Sequence, residues 1–326
     1  MKSTAVSLEI SIFNMGKIDA ICISNKKGEQ KKEVKSGTFL ENFGIEGDAH
    51  AGTWHRQVSF LDKEKIDNFK DKGAEVENGS FGENIIIEGV DIHSLKVGTR
   101  LQSNDVIFEI TQKGKECHDH CAIFYKMGEC IMPKVGTFAK VIKGGTITKG
   151  DEIKVIDRTE SFPFQAAVIT LSDAGFKGER EDISGPTIAN RLKEEGYEVV
   201  EQLLLPDEAN FLKKELMRLA DQRQVDLILT TGGTGFSSRD VTPEATLSVM
   251  DRNAPGISEA IRAESLKFTK HAMLSRGVSV IRKGTLIINL PGSPKACLES
   301  MDVFMSALPH AIKLLRGEVN NCARKD

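Results

Sequence analysis

A glycine-rich loop and the aspartate that follows it are the residues whose types and spacing most directly suggest chemistry. Residues 230–235 read TTGGTG and follow an apolar run at 225–229 that is typical of a buried parallel strand. Glycines let backbone N–H groups approach an anion closely, because they carry no Cβ. Asp240 would repel a phosphate held there unless a divalent cation lay between them. The pattern therefore predicts a site for a metal ion and a nucleotide.

The residues after Asp240 predict a helix whose N-terminus faces this loop. Thr242 is the expected N-cap, Pro243 the first helical residue, and Glu244 lies in the first turn. A helix N-terminus favours a bound phosphate electrostatically. The loop has neither the Walker A pattern nor the GxGxxG dinucleotide pattern. A glycine turn that only joins strand to helix is the competing interpretation, and the neighbouring threonines with Arg239 and Asp240 favour the ligand site.

A second loop of similar design follows another apolar run. Residues 284–296 read GTLIINLPGSPKA, with residues 286–288 as the expected strand. The proline-flanked turn carries one hydroxyl, Ser293, and one cation, Lys295. Ligands of open α/β sheets bind outside the carboxyl ends of the strands, so two such loops favour a cleft. Taken alone, the segment would suit a plain connection with Ser293 as N-cap equally well.

Six motifs occur in order in the second half of the chain: VITLSDAG (168–175), SGP (184–186), LPDE (205–208), TTGGTG (230–235), RDVTPEAT (239–246) and LPGSPKA (290–296). With these motifs, residues 165–319 resemble the MogA/MoaB family of molybdopterin-binding proteins. The resemblance implies an α/β fold with a mostly parallel sheet between helices, assembled as a homotrimer. It also implies nucleotidyltransferase activity, in which molybdopterin and ATP with Mg²⁺ give adenylyl-molybdopterin and pyrophosphate.

The same resemblance implies a set of site residues. Asp207 and Asp240 match the family's essential acidic residues, and they are the expected catalytic groups and Mg²⁺ ligands. Asp240 would hold the metal against phosphate oxygens, and Asp207 would be a second ligand or a positioning group. The expected molybdopterin- and nucleotide-binding residues are Ser172, Asp173, Ser184, Gly185, Thr231, Gly232, Gly233, Thr234, Gly235, Glu244, Pro291, Gly292, Ser293 and Lys295.

Three charged residues near these loops have alternative interpretations. For Glu244, a place in the first helical turn is favoured over a role through water. Lys295 and Arg239 are candidate phosphate contacts, and a solvated surface position is as good an interpretation for each.

The first half of the chain carries a candidate sulfur or metal site. Residues 113–121 read KGKECHDHC. Thiolate and imidazole are the preferred ligands of zinc, but the second pair of ligands that a structural zinc site usually has is not obvious. The alternative is a single reactive thiolate at Cys117, whose pKa would be lowered by Lys113, Lys115 and His118.

Three motifs lie in the first half of the chain: FGIEGDAHAGTWHRQVSFL (43–61), GSFGENIIIEG (79–89) and ITQKGKEC (110–117). With these motifs, residues 15–156 resemble the MOSC domain, which implies a mainly β, barrel-like fold and one key cysteine, here Cys117. In that family the cysteine is proposed to bind the molybdenum of the cofactor or to carry sulfur. The usual Gln-Pro-Arg before it is replaced by Gln-Lys-Gly at 112–114, so sulfur transfer, molybdenum ligation and another metal all stay open.

The GDxHAG part of this pattern offers further candidates for the same pocket. Asp48, His50, His55 and Arg56 fit it, although a turn formed by the Gly-Asp pair is an equally good interpretation. The basic run at 26–35 is expected to be solvated.

Length and composition set the wider limits. A chain of 326 residues is expected to hold two domains, and a net charge of −3 predicts no nucleic-acid surface. Charged residues break the apolar stretches of the first twenty positions, so neither a signal peptide nor a membrane span is predicted. The six cysteines are then expected to be reduced, in the cytoplasm.

The pattern of predicted secondary structure changes near the middle of the chain. Short strand-like runs separated by turns predict a β-barrel or sandwich at 1–157, the MOSC-like domain. After a linker at 158–164, helical patterns at 185–196 and 209–222 alternate with strands. This alternation predicts an α/β domain at 165–326, with the sheet sandwiched by helices.

Together the two resemblances predict a bifunctional protein of molybdenum cofactor biosynthesis. The second domain would adenylylate molybdopterin, and the first would bind, sulfurate or hand on the cofactor through Cys117 to other proteins of the pathway or to molybdoenzymes. Linking the two would raise the effective concentration of a labile cofactor. The alternative is a non-catalytic carrier or storage protein, which would keep both pockets without needing Asp207 and Asp240.

Overall fold

The computed structural model describes residues 15–116, 122–156 and 162–318. The chain forms two compact units, residues 1–162 and 163–326. Most of the predicted linker at 158–164 lies outside the described residues, so its bounds stay a prediction.

The first unit is built mainly from short strands. Its strands are β1 (Met15–Ile23), β2 (Lys32–Val34), β3 (Ser36–Leu40), β4 (Gly44–Ile45), β5 (Val58–Asp62), β6 (Ile85–Glu88), β7 (Arg100–Ser103), β8 (Val106–Lys113), β9 (Thr137–Lys143), β10 (Gly145–Thr148) and β11 (Glu152–Ile156). Its helices are α1 (Lys63–Lys70), α2 (Ala122–Met127), α3 (Met132–Val135) and the 3-10 turn Ile92–Ser94.

Seven of these strands close into a barrel. Their order is β1-β6-β5-β9-β8-β7-β11, and β11 pairs back with β1, while β2 extends the sheet from β1. Closure removes the open edges through which strands of other chains could pair. Inside the barrel the rings of Phe39 and Phe60 each meet Phe108 edge to face, with centroids 5.1 and 5.3 Å apart. The predicted mainly β barrel is confirmed.

The second unit alternates strands and helices. Its strands are β12 (Gln165–Leu171), β13 (Glu198–Leu205), β14 (Leu227–Thr231), β15 (Arg252–Asn253), β16 (Ser279–Arg282) and β17 (Thr285–Leu290). Its helices are α4 (Asp173–Phe176), α5 (Ser184–Glu194), α6 (Ala209–Met217), α7 (Thr242–Ser248), α8 (Pro255–Ser265), α9 (Pro294–Phe304), α10 (Leu308–Arg316), a π-helical turn at Arg218–Gln222 and a 3-10 turn at Lys270–Leu274.

These strands form one mixed six-stranded sheet in the order β13-β12-β14-β17-β16-β15. The first four run parallel, and β16 and β15 continue the sheet antiparallel at one edge. β14 is buried along its whole length, as its apolar residues 227–229 predict for a strand covered on both faces, and the burial extends to Thr230 and Thr231.

Helices cover both faces of this sheet. One face packs against apolar residues of α5, α8, α9 and α10. The other packs against α6, the π-helical turn and α7. The helical patterns at 185–196 and 209–222 correspond to α5 and to α6 with its π-helical extension. The predicted α/β fold with a mostly parallel sheet between helices is confirmed.

Candidate active site

The carboxyl ends of the four parallel strands open into one cleft of about 570 Å³. Strands β12 and β13 end at Leu171 and Leu205, and β14 and β17 end at Thr231 and Leu290. The order reverses at β12, which has β13 on one side and β14 on the other. Such a switch point is where open α/β sheets bind ligands. The sheet thus joins four predicted loops that lie far apart in the sequence.

The predicted site residues divide into those that face the cleft and those that lie behind or beside it. The first group lines the cleft: Ser172, Asp173, Ser184, Asp207, Thr231, Gly232, Gly233, Asp240, Gly292 and Ser293. The second group is not part of this lining: Gly185, Thr234, Gly235, Glu244, Pro291 and Lys295.

Asp173 and Asp207 tie the first two strand ends together. The backbone N–H of Asp173 donates to Asp207 Oδ2 at 2.9 Å, and that of Asp207 donates to Asp173 Oδ1 at 3.0 Å. Burial, together with the negative charges of Asp173 and Asp240, raises the pKa of Asp207 above its ordinary value. A bound cation would remove this repulsion, so the electrostatics of the cleft favour one.

Arg239 pairs with Asp173 beside the cleft. Its guanidinium donates to both carboxylate oxygens at distances between 2.7 and 3.0 Å. These hydrogen bonds hold the pKa of Asp173 below its ordinary value. In this structure the guanidinium of Arg239 therefore serves a carboxylate, whereas the sequence offered it as a phosphate contact.

Gly232 and Gly233 form a turn that excludes side chains. Their φ angles are +94° and +61°, in the left-handed region that favours glycine. A Cβ on Gly232 would lie 2.3 Å from the Leu171 carbonyl oxygen, and one on Gly233 would lie 2.5 Å from Thr242 Oγ1. The same Cβ on Gly233 would lie 3.5 Å from Asp207 Oδ1. Bare backbone therefore lies beside a carboxylate, as the glycine pattern predicts.

The predicted N-cap of the following helix is wrong. Helix α7 begins at Thr242, and Val241 occupies the N-cap position without a side-chain cap. The buried Thr242 hydroxyl donates to the carbonyl oxygen of Gly232 at 2.9 Å, and its backbone N–H donates to that of Gly233 at 3.1 Å. The folded turn presents carbonyl oxygens to Thr242, so this residue fixes the glycine turn and does not cap the helix.

Asp240 ends an exposed loop at residues 235–240. Its Oδ2 accepts the N–H of Ser237 at 2.8 Å, and its Oδ1 accepts no hydrogen bond from the described part of the chain. Glu244 forms an ion pair with Arg276 and is 58% exposed. It borders a separate, shallow cavity of about 450 Å³ on the other side of Asp240. These contacts agree with the favoured interpretation of Glu244 as a residue of the first helical turn.

Buried hydroxyls position the loop after β17. Thr231 Oγ1 donates to the carbonyl oxygen of Pro291 at 2.6 Å, and Ser184 Oγ donates to that of Gly292 at 2.9 Å. The buried Cys297 thiol also donates to Pro291, at 3.0 Å. Thr231, which lines the cleft, and Pro291, which does not, therefore fix the position of this loop.

The two polar residues of this loop have different environments. Ser293 caps α9, because its hydroxyl accepts the N–H of Ala296 at 3.3 Å. Lys295 is 89% exposed and lies 3.7 Å from Glu299. Its surroundings match the solvated alternative, and Ser293 remains in the cleft lining while it caps the helix.

Nine residues of the cleft lining were not predicted from the sequence, among them Thr170, Arg180 and Asp182. Thr170 is 6% exposed, and its Oγ1 has no hydrogen-bond partner within residues 163–318. Arg180 donates to Ser172 Oγ at 2.9 Å, and Asp182 accepts the N–H of Gly185 at 3.0 Å. Asp182 could have been found, because an Asp just before a helix is an N-terminal signal. Thr170 lies inside a strand and carries no such signal.

The carboxylates fit a magnesium ion that arrives with a nucleotide. No cluster of three or more His, Cys, Asp or Glu side chains able to hold a metal occurs in the described ranges. Mg²⁺ is usually bound by one or two carboxylates together with phosphates and water. Oδ1 of Asp207 and Oδ1 of Asp240 accept no hydrogen bond from described residues, so each has an oxygen available.

The predicted sulfur site of the first unit lies largely outside the description. Cys117, His118 and Cys121 are not among the described residues, so the zinc and thiolate alternatives stay predictions. His55 is described, and its Nε2 lies 2.9 Å from Gln112 Oε1.

The GDxHAG segment forms a buried charged pair. Asp48 makes an ion pair with Lys31, which is 1% exposed. The expectation that the basic run is solvated is therefore wrong for Lys31, because Asp48 compensates its charge inside the unit. His50 Nδ1 lies 3.4 Å from Lys31 Nζ. Burial and the charge of Lys31 lower the pKa of His50, which keeps its imidazole neutral.

Comparison with known proteins gives one match in each unit. Residues 167–310 match the model of a probable molybdopterin binding domain, and residues 46–154 match that of the MOSC domain. The molybdopterin adenylyltransferase of Helicobacter pylori strain J99 is 41% identical over 152 residues, which are 46% of this chain and 86% of that protein. The second unit is thus an α/β domain that matches a probable molybdopterin binding domain, and the first unit matches the MOSC domain.

Two further relatives match the second unit. The molybdenum cofactor synthesis protein cinnamon of Drosophila melanogaster is 40% identical over 163 residues, 49% of this chain and only 27% of that protein. The molybdopterin biosynthesis enzyme MoaB from Thermus thermophilus is 47% identical, covering 47% of this chain and 97% of that one with a TM-score of 0.46. The chain belongs to the MogA/MoaB family of molybdenum cofactor biosynthesis proteins.

In the described ranges, no helix has the length and apolar character needed to cross a membrane.

Proposed function

We propose that the second unit adenylylates molybdopterin with ATP in the presence of Mg²⁺. The observation that carries the proposal is the convergence of four strand-end loops around Asp207, Asp240 and the bare Gly232–Gly233 turn. Relatives with 41% identity over 86% of their length are named molybdopterin adenylyltransferases, which supports the same activity here.

The reaction needs two anions to approach each other. A phosphate oxygen of molybdopterin attacks the α-phosphorus of ATP, a new P–O bond forms, and the bond to the β-phosphate oxygen breaks. Pyrophosphate leaves with the electron pair of that bond. Rate acceleration in such a transfer comes mainly from positioning and from charge neutralisation. When bound, Mg²⁺ would supply the neutralisation by drawing negative charge from the phosphate oxygens.

The residues of the chain supply the positioning. Asp207 and Asp240 would hold the metal through their Oδ1 atoms, which accept no hydrogen bond from described residues. The Gly232–Gly233 turn leaves room for phosphate oxygens beside Asp207. Thr170, whose buried hydroxyl lacks a partner in the described part of the chain, can donate to or accept from the substrate. Ser293 and Gly292 would bound the pterin side of the cleft.

For the first unit we propose binding, sulfuration or transfer of the cofactor through Cys117. The buried Lys31–Asp48 pair and the neutral His50 show that the Asp48–His50 part of the MOSC match is an ordered polar segment, which supports the proposal. A persulfide on Cys117 after incubation with a sulfane-sulfur donor such as a cysteine persulfide, which leaves as its thiolate, would identify the sulfuration route when detected by mass spectrometry. A Cys117→Ser variant is the control.

We also propose that the second unit assembles as a homotrimer. Large apolar side chains of this unit are exposed, among them Phe268 (67%) and Met273 (62%), and their burial between copies would be favourable. Light scattering after size-exclusion chromatography tests this directly, with a mass of about 36 kDa contradicting it. The cytoplasmic location stays a prediction from the sequence.

The activity is tested by measuring adenylyl-molybdopterin and pyrophosphate formed from molybdopterin and ATP with Mg²⁺. We expect product from the unmodified chain and a loss of at least about 100-fold in Asp240→Asn, because the metal loses a carboxylate while the side chain keeps its size. Asp302→Asn is the matched control, since Asp302 lies on α9 outside the cleft and is 61% exposed.

The same experiment separates the enzyme from a cofactor carrier. If the unmodified chain binds molybdopterin but forms no product, the carrier is the better description. If product forms and Asp240→Asn retains molybdopterin binding without turnover, the carrier is excluded.

A further inference from the structure

The loop that carries Asp240 is tied to the body of the second unit by a distant arginine. Arg276 Nε donates to the carbonyl oxygen of Gly235 at 2.6 Å, and its Nη2 donates to that of Asp240 at 2.6 Å. Its Nη1 pairs with the Glu244 carboxylate. One guanidinium therefore contacts the first residue of the loop, the last residue, and the first turn of α7.

The backbone of Arg276 adds a fourth tie. Its N–H donates to the carbonyl oxygen of Thr234 at 2.9 Å, directly before the loop. The chain just after Arg276 is anchored, because Arg262 Nη1 donates to the carbonyl oxygen of Gly277 at 2.7 Å and the Val278 N–H donates to Asn289 Oδ1 on β17 at 3.2 Å. Arg276 therefore holds the 235–240 loop in a fixed position relative to the sheet of the second unit.

The loop has few other constraints. Its remaining backbone bonds are internal: the Ser237 N–H donates to Asp240 Oδ2 at 2.8 Å, and the Asp240 N–H donates to the Ser237 carbonyl oxygen at 3.0 Å. Residues 236–239 are exposed, and Phe236 at 70% contributes little packing. Apart from Arg239, whose side chain pairs with Asp173, the described contacts that hold the loop in place are those of Arg276.

An arginine is suited to this task in a way that lysine is not. Its guanidinium is a rigid planar fork with five N–H donors, so it reaches three acceptors at once in fixed directions. A lysine carries the charge on a flexible stem and keeps the pairing with Glu244 without fixing both loop ends.

We propose that Arg276 is a positioning residue that sets the Asp240 carboxylate for metal–nucleotide binding. The inference rests on the proposed function, because it gives Asp240 the role of metal ligand. Arg276 borders the shallow cavity beside Asp240 and is not part of the cleft lining, so it acts through the loop. A misplacement of a ligand by about 1 Å is enough to weaken such a site strongly.

Two measurements on the full chain test this. The first is titration with Mn²⁺ in the presence of a non-hydrolysable ATP analogue, with free Mn²⁺ read by electron paramagnetic resonance. The second is hydrogen exchange of the amides at 235–240. For Arg276→Ala we expect Mn²⁺ affinity to fall at least fivefold and exchange in the loop to speed up at least tenfold. For Arg276→Lys we expect a Mn²⁺ affinity and an exchange rate at 235–240 that are intermediate between those of the unmodified chain and of Arg276→Ala.

Arg282→Ala is the matched control. Arg282 also serves one carboxylate and one carbonyl oxygen, donating to Asp221 Oδ1 at 2.9 Å and to Val249 O at 2.7 Å. It lies on β16 but does not touch the 235–240 loop. We expect this variant to change neither Mn²⁺ affinity nor exchange at 235–240, even where its thermal stability drops.

The outcomes divide clearly. Unchanged Mn²⁺ affinity in Arg276→Ala overturns the proposal whether or not the loop exchanges faster. Weaker affinity without faster exchange also overturns it, because the arginine would then act on the ligand directly. If the unmodified chain binds no Mn²⁺ with the analogue, the proposed function fails, and the exchange data alone still show whether Arg276 orders the loop. Should Arg276→Ala not fold, Arg276→Lys supplies both readouts.

Discussion

Asp173 and Asp207 each accept a hydrogen bond from the backbone amide of the other, at 3.0 and 2.9 Å. The two carboxylates therefore join the ends of β12 and β13 and also face the same cleft. Their charges are balanced differently: Arg239 neutralises Asp173, while Asp207 is half-buried and lacks a cation of its own among its described contacts. The structure thus keeps one carboxylate satisfied and leaves the other available for a metal.

Asp207→Asn should separate stability from activity. We expect at least about a 100-fold loss of adenylylation with molybdopterin binding retained, because the proposed function makes Asp207 a metal ligand. The pKa of Asp207 is raised in the folded state, so its ionisation opposes folding. The variant should therefore be at least as stable as the unmodified chain at pH 7, as measured by urea unfolding.

The difference in stability between Asp207→Asn and the unmodified chain should depend on pH. Below the ordinary pKa of 3.8, Asp207 is protonated in both folded and unfolded chains, and the advantage of the asparagine should vanish. The advantage should grow as the pH rises through the raised pKa. If Asp207→Asn is clearly less stable than the unmodified chain at pH 7, the ionised Asp207 carboxylate does not oppose folding, and the argument that it favours a bound cation is contradicted.

Gly232→Ala should be costly for two reasons that a control can separate. The residue has φ +94°, and a Cβ would lie 2.3 Å from the Leu171 carbonyl oxygen. The left-handed backbone alone costs about 1–2 kcal/mol, so with the collision we expect a loss of about 3 kcal/mol or more in the free energy of unfolding. Gly196→Ala is the control, because Gly196 has φ +84° and open space around its Cβ position. Equal losses for the two variants would show that the close approach to Leu171 has no consequence.

Thr231→Val should loosen the loop after β17. The Thr231 hydroxyl is buried and donates to Pro291 at 2.6 Å, and valine keeps the shape without the donor. We expect a loss of about 1–3 kcal/mol in unfolding free energy, together with a higher KM for molybdopterin and a smaller change in kcat. Thr231→Ser keeps the hydroxyl and should restore the KM. If valine and serine give the same KM, the loop does not depend on this hydrogen bond.

Glu83 should make the first unit less stable as the pH rises. Glu83 is fully buried, and burial raises its pKa from 4.5 to about 7, although the N–H groups of Gly79 and Phe81 donate to it. Protonated Glu83 therefore favours the folded state below pH 4.5, and this contribution is lost as the pH rises to about 7. The loss is on the order of 3 kcal/mol by the usual conversion of a pKa shift.

The single tryptophan, Trp54, allows this unit to be followed by fluorescence. Urea unfolding of the unmodified chain and of Glu83→Gln at pH 5 and pH 8 gives the difference that belongs to Glu83, because other titrating groups are common to both. Absence of any pH-dependent difference between the two chains would mean that Glu83 titrates normally.

Much of the site follows from the sequence because its main residues come directly after strands. Asp173, Asp207 and Gly232 each follow an apolar run, and the carboxyl ends of parallel strands meet at one edge of a sheet. The apolar runs that predict the strands, together with the common edge at which parallel strands end, are sufficient to predict that these three residues lie close together.

The remaining contacts depend on three-dimensional proximity that no local pattern encodes. Arg276 reaches Gly235 across 41 positions of the chain, and nothing around it marks it as a loop anchor. Lys31 looks solvated among its basic neighbours, and only the folded unit places Asp48 beside it. Thr242 has the composition of an N-cap, but the folded glycine turn offers it carbonyl oxygens. In each case a partner distant in sequence decides what the side chain does.

The most direct test of the central claim is a crystal structure of the chain with adenylyl-molybdopterin and Mn²⁺, in which the metal is located by its anomalous signal. We expect the signal between Asp207 and Asp240, the nucleotide phosphates against the Gly232–Gly233 turn, and the pterin beside Gly292 and Ser293. A nucleotide bound elsewhere, with no metal signal near either carboxylate, would contradict the assignment of this cleft as the adenylylation site.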